Sequence, residues 1–189
     1  MKNRSAGRES EHKIFVDNVT PHLDLLYRQA VRLCRNEKDA EDLVQETCLR
    51  AYRSLATGTV VESFKAWLLT ILTHLVINEY RKKERHTVEP TEGEELDRVS
   101  WKEASEGLGD PQEEVFRHVL DQEIMEAFQV LPPEYAAAVS LCDLEGFTYE
   151  EITKILACPI GTVRSRISRG RRMLYNKLRD YAGARGFAK

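Results

Sequence analysis

One stretch near the C-terminus, residues 148–179, constrains the fold more than any other part of this 189-residue chain. It opens with a capping box, because Thr148 is followed three residues later by Glu151, and such a pair predicts the start of a helix. Apolar residues at helical spacing come next: Ile152, Ile155 and Leu156. The sequence ACPI then predicts a tight turn, with Pro159 at the first position of a new helix. The stretch therefore predicts two consecutive helices joined by a short turn.

The second of these helices has an apolar side and a basic side. A step of about 100° per residue places four residues on the apolar side: Val163, Ile167, Gly170 and Leu174. The opposite side carries Arg164, Ser165, Ser168, Arg169 and Arg172. From Gly161 to Arg179 there are seven cations and no acid.

A short helix, a tight turn and a basic second helix are typical of a helix-turn-helix, which sets its second helix in the major groove of DNA. Arginine can bind guanine through two hydrogen bonds, and serine can bind a base or a phosphate. The flanking Arg166 and Arg171 suit phosphates. A solvated basic helix in an ordinary bundle is the alternative interpretation. The capping box, the turn and the one-sided basic face together favour the helix-turn-helix.

Several classes of protein are disfavoured by the sequence. No apolar run reaches the roughly 20 residues of a membrane helix, and the polar N-terminus lacks the apolar core of a signal peptide, so we expect a cytoplasmic protein. The cysteines stand singly, without a CxxC pair or a histidine at ligand spacing: Cys34, Cys48, Cys142 and Cys158. We therefore expect no metal, no cofactor and no disulfide. Because no catalytic motif or phosphate loop is present either, we do not expect an enzyme.

Acidic residues are concentrated in one segment. The net charge of −3 would by itself argue against a nucleic-acid partner. Between Glu89 and Pro111, however, eight acids and two cations give a net charge of −6, which leaves +3 for the remainder of the chain. Hydrophobic periodicity also disappears from Thr87 to Gly109, and such a composition cannot bury enough apolar surface to order itself. We predict a flexible acidic linker here.

Helices are predicted on both sides of this linker. The N-terminal half has three: one starting at Thr20-Pro21, one from Asp39 to Leu55 and one from Phe64 to Arg85. The third has a predicted core stripe: Phe64, Trp67, Leu68, Ile71, Leu72 and Leu75. After the linker, a fourth helix runs from Asp110-Pro111 to Val130 and a fifth from Glu134 to Leu144, ending at Gly146. Because no segment alternates with the period of a strand, we predict an all-α fold of two small helical domains.

Two surfaces in the N-terminal half allow more than one interpretation. An acidic, amide-bearing ridge lies near the start of the second helix: Glu41, Asp42, Gln45 and Glu46. These acids either complement the helix dipole or dock a basic partner. The third helix combines Trp67 with Asn78 and a basic end. Its cations again suit the dipole, whereas an aromatic, an amide and cations on one helix also suit single-stranded nucleic acid.

Several motifs, in order, resemble those of bacterial RNA polymerase sigma factors of the extracytoplasmic-function subfamily. They are DAEDLVQET, then WL-x2-I-x6-N-x2-R, then the acidic linker, then LPPEY, LEGFTYEEI and PIGTVRSRISRGR. The resemblance extends from about Ile14 to Tyr181. It implies a leader at residues 1–13, a region 2 domain at 14–86, a linker at 87–111, a region 4 domain at 112–182 and a tail at 183–189.

The resemblance also implies roles and partners. The partners are core RNA polymerase, promoter DNA and an anti-sigma factor. The acidic ridge would dock on the clamp helices of the largest polymerase subunit. The loop Ala56 to Ser63 and the third helix would read and open the −10 element. A base would be flipped into a pocket near that loop. The DNA-binding residues of the third helix would be Trp67, His74, Asn78, Arg81 and Lys82. The −35 element would be read by Arg164, Ser165, Ser168, Arg169 and Arg172.

His74 departs from the family pattern, which usually has asparagine seven residues after the tryptophan. It can bind a base or a phosphate, or act as a packed spacer. Within the subfamily, the segments GTVVESFKAWLLTILTHLVINEYRKK and CDLEGFTYEEI look closest to members that respond to thiol-oxidative stress, whose zinc-binding anti-sigma partners carry the redox cysteines. A free-standing helix-turn-helix regulator, which would share only the C-terminal half, is the alternative function.

Overall fold

The computed structural model describes residues 12–34, 37–85 and 123–184. All regular elements within these ranges are helical, in agreement with the predicted all-α class. They are α1 (12–19), a 3₁₀ turn (Thr20–His22), α2 (Leu23–Leu33), α3 (Glu37–Ala56), α4 (Phe64–Arg85), α5 (123–129), α6 (Pro133–Val139), a π turn (Ser140–Leu144), α7 (Tyr149–Ile155) and α8 (Ile160–Ala184). The predicted linker, most of the leader, the start of the fourth predicted helix and the end of the tail lie outside the described residues.

The start of the N-terminal half differs from the prediction. Thr20-Pro21 does not begin the first helix, because α1 precedes it and includes residues 12 and 13, which were predicted as leader. Pro21 instead lies in the 3₁₀ turn that connects α1 to α2. Proline is accommodated there because its fixed φ suits a helical turn. Its missing N–H costs no hydrogen bond, since the first N–H groups of a helical turn have no partner within that turn.

The long helix α4 is buried on two sides. It has the predicted bounds, and Leu68, Leu72 and Leu75 of the predicted stripe are buried. Phe64, Trp67 and Ile71 are only partly buried. A second set of residues, which was not predicted, is buried as well: Leu69, Thr73, Val76 and Ile77. The reason is that α4 contacts α2 and α3 of its own half and α6 and α7 of the other.

After α5, the C-terminal half continues with two short helical elements. The predicted fifth helix is present, but it consists of α6 followed by the π turn. It ends before Gly146, whose φ of +73° is a left-handed conformation that glycine adopts without strain. The predicted capping box of α7 is also present: Thr148 Oγ1 accepts a hydrogen bond from Glu151 N at 3.3 Å, and Thr148 N donates to Glu151 Oε2 at 2.8 Å.

Helix α8 lies close against α6, and Gly170 permits this approach. A Cβ added at Gly170 would lie 2.5 Å from Val139 Cγ2 and 3.3 Å from the Tyr135 carbonyl oxygen. The first distance is far below an ordinary contact between carbon atoms, which is about 3.5–4.0 Å. The position of the predicted recognition helix therefore depends on the absence of a side chain at residue 170.

Candidate nucleic-acid and polymerase interfaces

Helix α8 presents the predicted basic face to solvent. Val163 and Ile167 are fully buried behind it. Four predicted −35 residues are exposed: Arg164, Ser165, Ser168 and Arg169. Arg172 is half-buried. The Pro159 carbonyl accepts bonds from Thr162 N and Val163 N, so Pro159 caps α8 and precedes its first residue.

The turn between α7 and α8 contains a strained residue. Ala157 has a φ of +46°, and it is the non-glycine residue of the described chain with a positive φ. This conformation costs an L-residue roughly 1–2 kcal/mol. The turn therefore fixes the angle between the two helices at some expense of stability.

The two arginines that flank the basic face are held by the protein. Arg171 Nε donates to Asp143 Oδ2 at 2.9 Å and its Nη2 donates to Oδ1, so that the two side chains form a bidentate pair. This pairing raises the pKa of Arg171 above its already high value. Arg166 Nη1 lies 3.5 Å from Cys158 Sγ. In this structure Arg171 ties α8 to the π turn, and its suitability for a phosphate stays a prediction.

The predicted −10 residues share one side of α4, as their spacing requires. Asn78, Arg81 and Lys82 are exposed. His74 and Trp67 are half-buried, and the Trp67 ring meets the Phe64 ring edge-on with centroids 6.0 Å apart.

The loop before α4 is held by hydrogen bonds at its start. The carbonyl of Ser54 accepts from Thr57 N at 3.1 Å and from Thr59 N at 3.2 Å, and Gly58 turns the chain with a φ of +83°. Val60 follows directly after these bonds in the loop, and this residue is 91% exposed. A large exposed apolar side chain in an anchored loop suits contact with a partner.

The acidic ridge borders a cleft between α3 and the end of α4. Glu41, Asp42 and Gln45 are exposed, and Glu46 is half-buried and paired with Arg50 at 2.7 Å. Across the cleft stand two cations of α4, Lys82 and Lys83. The predicted polymerase-binding and −10 surfaces are thus neighbours.

Comparison with known proteins gives a family match in each half. Residues 19–86 match the family described as Sigma-70 region 2, and residues 121–174 match Sigma-70, region 4. The chain is 33% identical over 178 residues to the ECF RNA polymerase sigma factor SigW of Bacillus subtilis, covering 92% of this chain and 93% of that protein. The chain belongs to the extracytoplasmic-function (ECF) sigma factors. The region 2 match disfavours a free-standing regulator, which would share only the C-terminal half.

Two further relatives resemble this ECF sigma factor. One is the ECF RNA polymerase sigma factor SigE of Mycolicibacterium smegmatis, 43% identical over 168 residues. That match covers 86% of this chain but 59% of the relative's length. Among solved structures, the sigma factor RpoE of Bartonella quintana, in complex with the anti-sigma factor NepR, matches with a TM-score of 0.63 and 29% identity over 88% of this chain and 98% of that one.

The cysteines of the sigma factor are free within the described residues. Burial raises the pKa of the Cys34 thiol to about 12, and burial also raises the pKa of Cys48 and Cys142. In the same residues, no group of three or more His, Cys, Asp or Glu side chains is placed to hold a metal ion. No described helix is long and apolar enough to cross a membrane.

Sequence reasoning missed the ion pairs that join the two halves. Glu134 and Glu145 of region 4 pair with cations of region 2 that lie more than fifty residues earlier: Arg32, Lys65 and Arg81. Arg81 was expected to bind DNA, and the other four are unremarkable charges on a helix or turn when the sequence is read alone. No periodicity or motif signals their pairing, because such contacts depend on how the two domains meet.

Proposed function

We propose that this ECF sigma factor binds core RNA polymerase and directs it to specific promoters. The observation that carries the proposal is the order of two family domains along one chain, a region 2 with an exposed acidic ridge and a region 4 with an exposed basic recognition helix. The chain itself would supply binding and positioning, and the polymerase the catalysis. Since core polymerase is cytoplasmic, this is also where we expect the sigma factor to act.

Docking on the polymerase is assigned to the ridge on α3. Glu41, Asp42 and Gln45 project from one side of a well-anchored helix whose other side is buried in region 2. Exposed acids in a row suit a basic partner surface, because complementary charge raises the rate and specificity of association. The ridge therefore fits the clamp helices of the largest polymerase subunit.

Promoter reading is assigned to α4 with its preceding loop, and to α8. Asn78, Arg81 and Lys82 supply an amide and two cations along one line, which suits the −10 strand. In the loop that precedes α4, Val60 is an exposed apolar group that can pack against an unstacked base. On α8, Arg164 and Arg169 suit bidentate contacts to guanine in the −35 element.

Regulation by an anti-sigma factor in a stress response, including the thiol-oxidative type, is a further part of the proposal. The neighbouring structure of RpoE holds the anti-sigma factor NepR, which supports a partner of this class. Burial raises the pKa of the Cys34 thiol to about 12, so Cys34 itself is poorly suited to sensing oxidants.

Run-off transcription with purified core polymerase tests the function. Defined start sites that require both core and this protein would support it, and their upstream sequences would give the −10 and −35 elements. Failure to bind core, together with a footprint on duplex DNA by the protein alone, would instead support a free-standing regulator.

A matched pair of variants tests the docking surface. Glu41→Lys combined with Asp42→Lys should weaken core binding strongly, whereas Glu37→Lys, an exposed acid at the start of the same helix, should have little effect. Equal affinities of the two variants for core would show that the ridge is not the docking surface.

A further inference from the structure

The recognition helix α8 is tied to the π turn of region 4 by one pair of charges. The Arg171 guanidinium donates from Nε and Nη2 to the two carboxylate oxygens of Asp143, and Nη2 also donates to Cys142 Sγ at 3.6 Å. The side chains of Arg171 and Asp143 are 34% and 32% exposed, so most of each is shielded from solvent. Ion pairs on a surface usually contribute little, but a bidentate pair of arginine and carboxylate is an exception because its geometry is fixed.

The π turn presents Asp143 from a well-anchored backbone. The Ser140 carbonyl accepts a hydrogen bond from Glu145 N at 3.0 Å, and the Leu141 carbonyl accepts one from Phe147 N at 3.0 Å. Ser140 and Leu141 are fully buried. Single π turns are frequent at functional sites. The carboxylate that binds Arg171 therefore has a fixed place in region 4.

The same segment sets how closely α8 approaches. Gly170 precedes Arg171, and a Cβ added at Gly170 would lie 2.5 Å from Val139 Cγ2. Val139 ends α6, and the π turn follows it directly. Two consecutive residues of α8 thus contact one segment, first by close packing and then by hydrogen bonds. Because a helix moves as a unit, a shift at this point also displaces Arg164 and Arg169 of the basic face.

The edge of the Arg171 guanidinium formed by Nε and Nη2 is occupied by the carboxylate, so this edge is not available to a phosphate while the pair is formed. We propose that Asp143 is a positioning residue for promoter reading. Through Arg171 it fixes where α8 lies, and hence where Arg164 and Arg169 meet the −35 element. Asp143 touches no DNA in this role. The proposal rests on the proposed function, because it assigns a further residue to the same reading surface.

Charge alone predicts the opposite effect of removing Asp143. DNA is a polyanion, so the loss of an acid beside a basic helix should strengthen binding. Positioning instead predicts that Asp143→Asn weakens the preference for the promoter, although the variant is more positive by one charge. The direction of the change therefore separates the two explanations.

The experiment uses holoenzyme reconstituted from core polymerase and the full chain. Competition binding gives its preference for a promoter fragment over the same fragment with a scrambled −35 element. For Asp143→Asn we expect this preference to fall about 10-fold, which corresponds to the loss of one good base contact. Asp143→Glu retains a carboxylate and should keep most of the preference. Glu150→Gln, which removes an exposed acid on the first turn of α7, is the control and should match the wild type.

Variants of Arg171 separate positioning from a direct phosphate contact. Lysine keeps the charge that binds a phosphate but cannot form the bidentate pair. Arg171→Lys should therefore lose preference as Asp143→Asn does, and the double variant should lose no more than either single one. In Arg171→Gln, the slope of log affinity against log salt should match the wild type, since a lost phosphate contact would change it by about 0.9. A changed slope, or wild-type preference in Arg171→Lys, would overturn the positioning role.

Two comparisons distinguish this proposal from folding defects and from the proposed function. Circular dichroism checks that each variant keeps the helicity of the wild type, and Arg171→Lys decides the question if Asp143→Asn does not fold. A wild-type holoenzyme without preference for the promoter would refute the proposed function and the positioning role together. A wild-type preference that survives in folded Asp143→Asn would refute the positioning role alone.

Discussion

Substitution of Gly170 by alanine tests how the recognition helix is held. The added Cβ would lie 2.5 Å from Val139 Cγ2 and 3.3 Å from the Tyr135 carbonyl oxygen. Val139 is 2% exposed, and a valine in a helix has one strongly preferred rotamer. It cannot simply turn away, so α8 must move outward from α6 or the two helices must remain under strain.

Two opposing effects set the magnitude of this change. Alanine is favoured over glycine in a helix interior by about 1 kcal/mol, which would stabilise the variant. Overpacking of a well-packed site costs about 1–3 kcal/mol, and the carbonyl contact adds a neighbour that belongs to the backbone. The two effects leave a net loss of about 0–2 kcal/mol of unfolding free energy. Because one of the two close neighbours is backbone, we expect the upper half of this range, together with weaker binding to −35 DNA.

Urea denaturation followed by circular dichroism measures this loss, and Gly161→Ala on the same helix is the control. At Gly161 an added Cβ meets nothing within 4 Å, so the control should gain up to about 1 kcal/mol. A Gly170 variant as stable as the wild type, or shifted in the same direction as the control, would refute the reasoning from close packing.

Four further predictions concern the same domain and the cysteines. Arg169→Ala should cost about 1–3 kcal/mol of discrimination at the −35 element, measured by competition between specific and random duplexes; an equal loss on all sequences would show that it binds phosphate only. Ala157→Gly should raise the stability of region 4 by about 0.5–1 kcal/mol in thermal unfolding, because it relieves a positive φ on an exposed residue. Thr148→Ala should cost about 1 kcal/mol; since hydrogen bonds from Thr148 lower the pKa of Glu151, the capping contribution should be present near neutral pH and fade as pH falls through that lowered pKa, and a flat profile would contradict this. Cys34, with a pKa of about 12, should be the slowest of the four cysteines to react with iodoacetamide at pH 8 by mass spectrometry, and rapid alkylation would contradict its burial.

Features that depend on a few neighbouring residues were predictable from the sequence. The capping box at Thr148, the end of α6 and its π turn before Gly146, and the full extent of α4 from Phe64 to Arg85 follow from local rules for starting and ending helices. The division of α8 into buried and exposed sides was also predictable, because one periodic pattern separates Val163 and Ile167 from the basic residues.

Features that depend on where the domains meet were decided by the tertiary structure. The sequence of α4 predicts one buried stripe, but Leu69 and Val76 are buried too because region 4 covers a second side. The pairing of Arg171 with Asp143, 28 residues earlier in the chain, was not predictable from the sequence. Hydrophobic periodicity and helix capping depend on residues that lie about one turn apart. The sequence by itself therefore determined these features. The partner of a charged side chain on a surface is set by the packing of elements distant in the chain, and only the folded structure decides it.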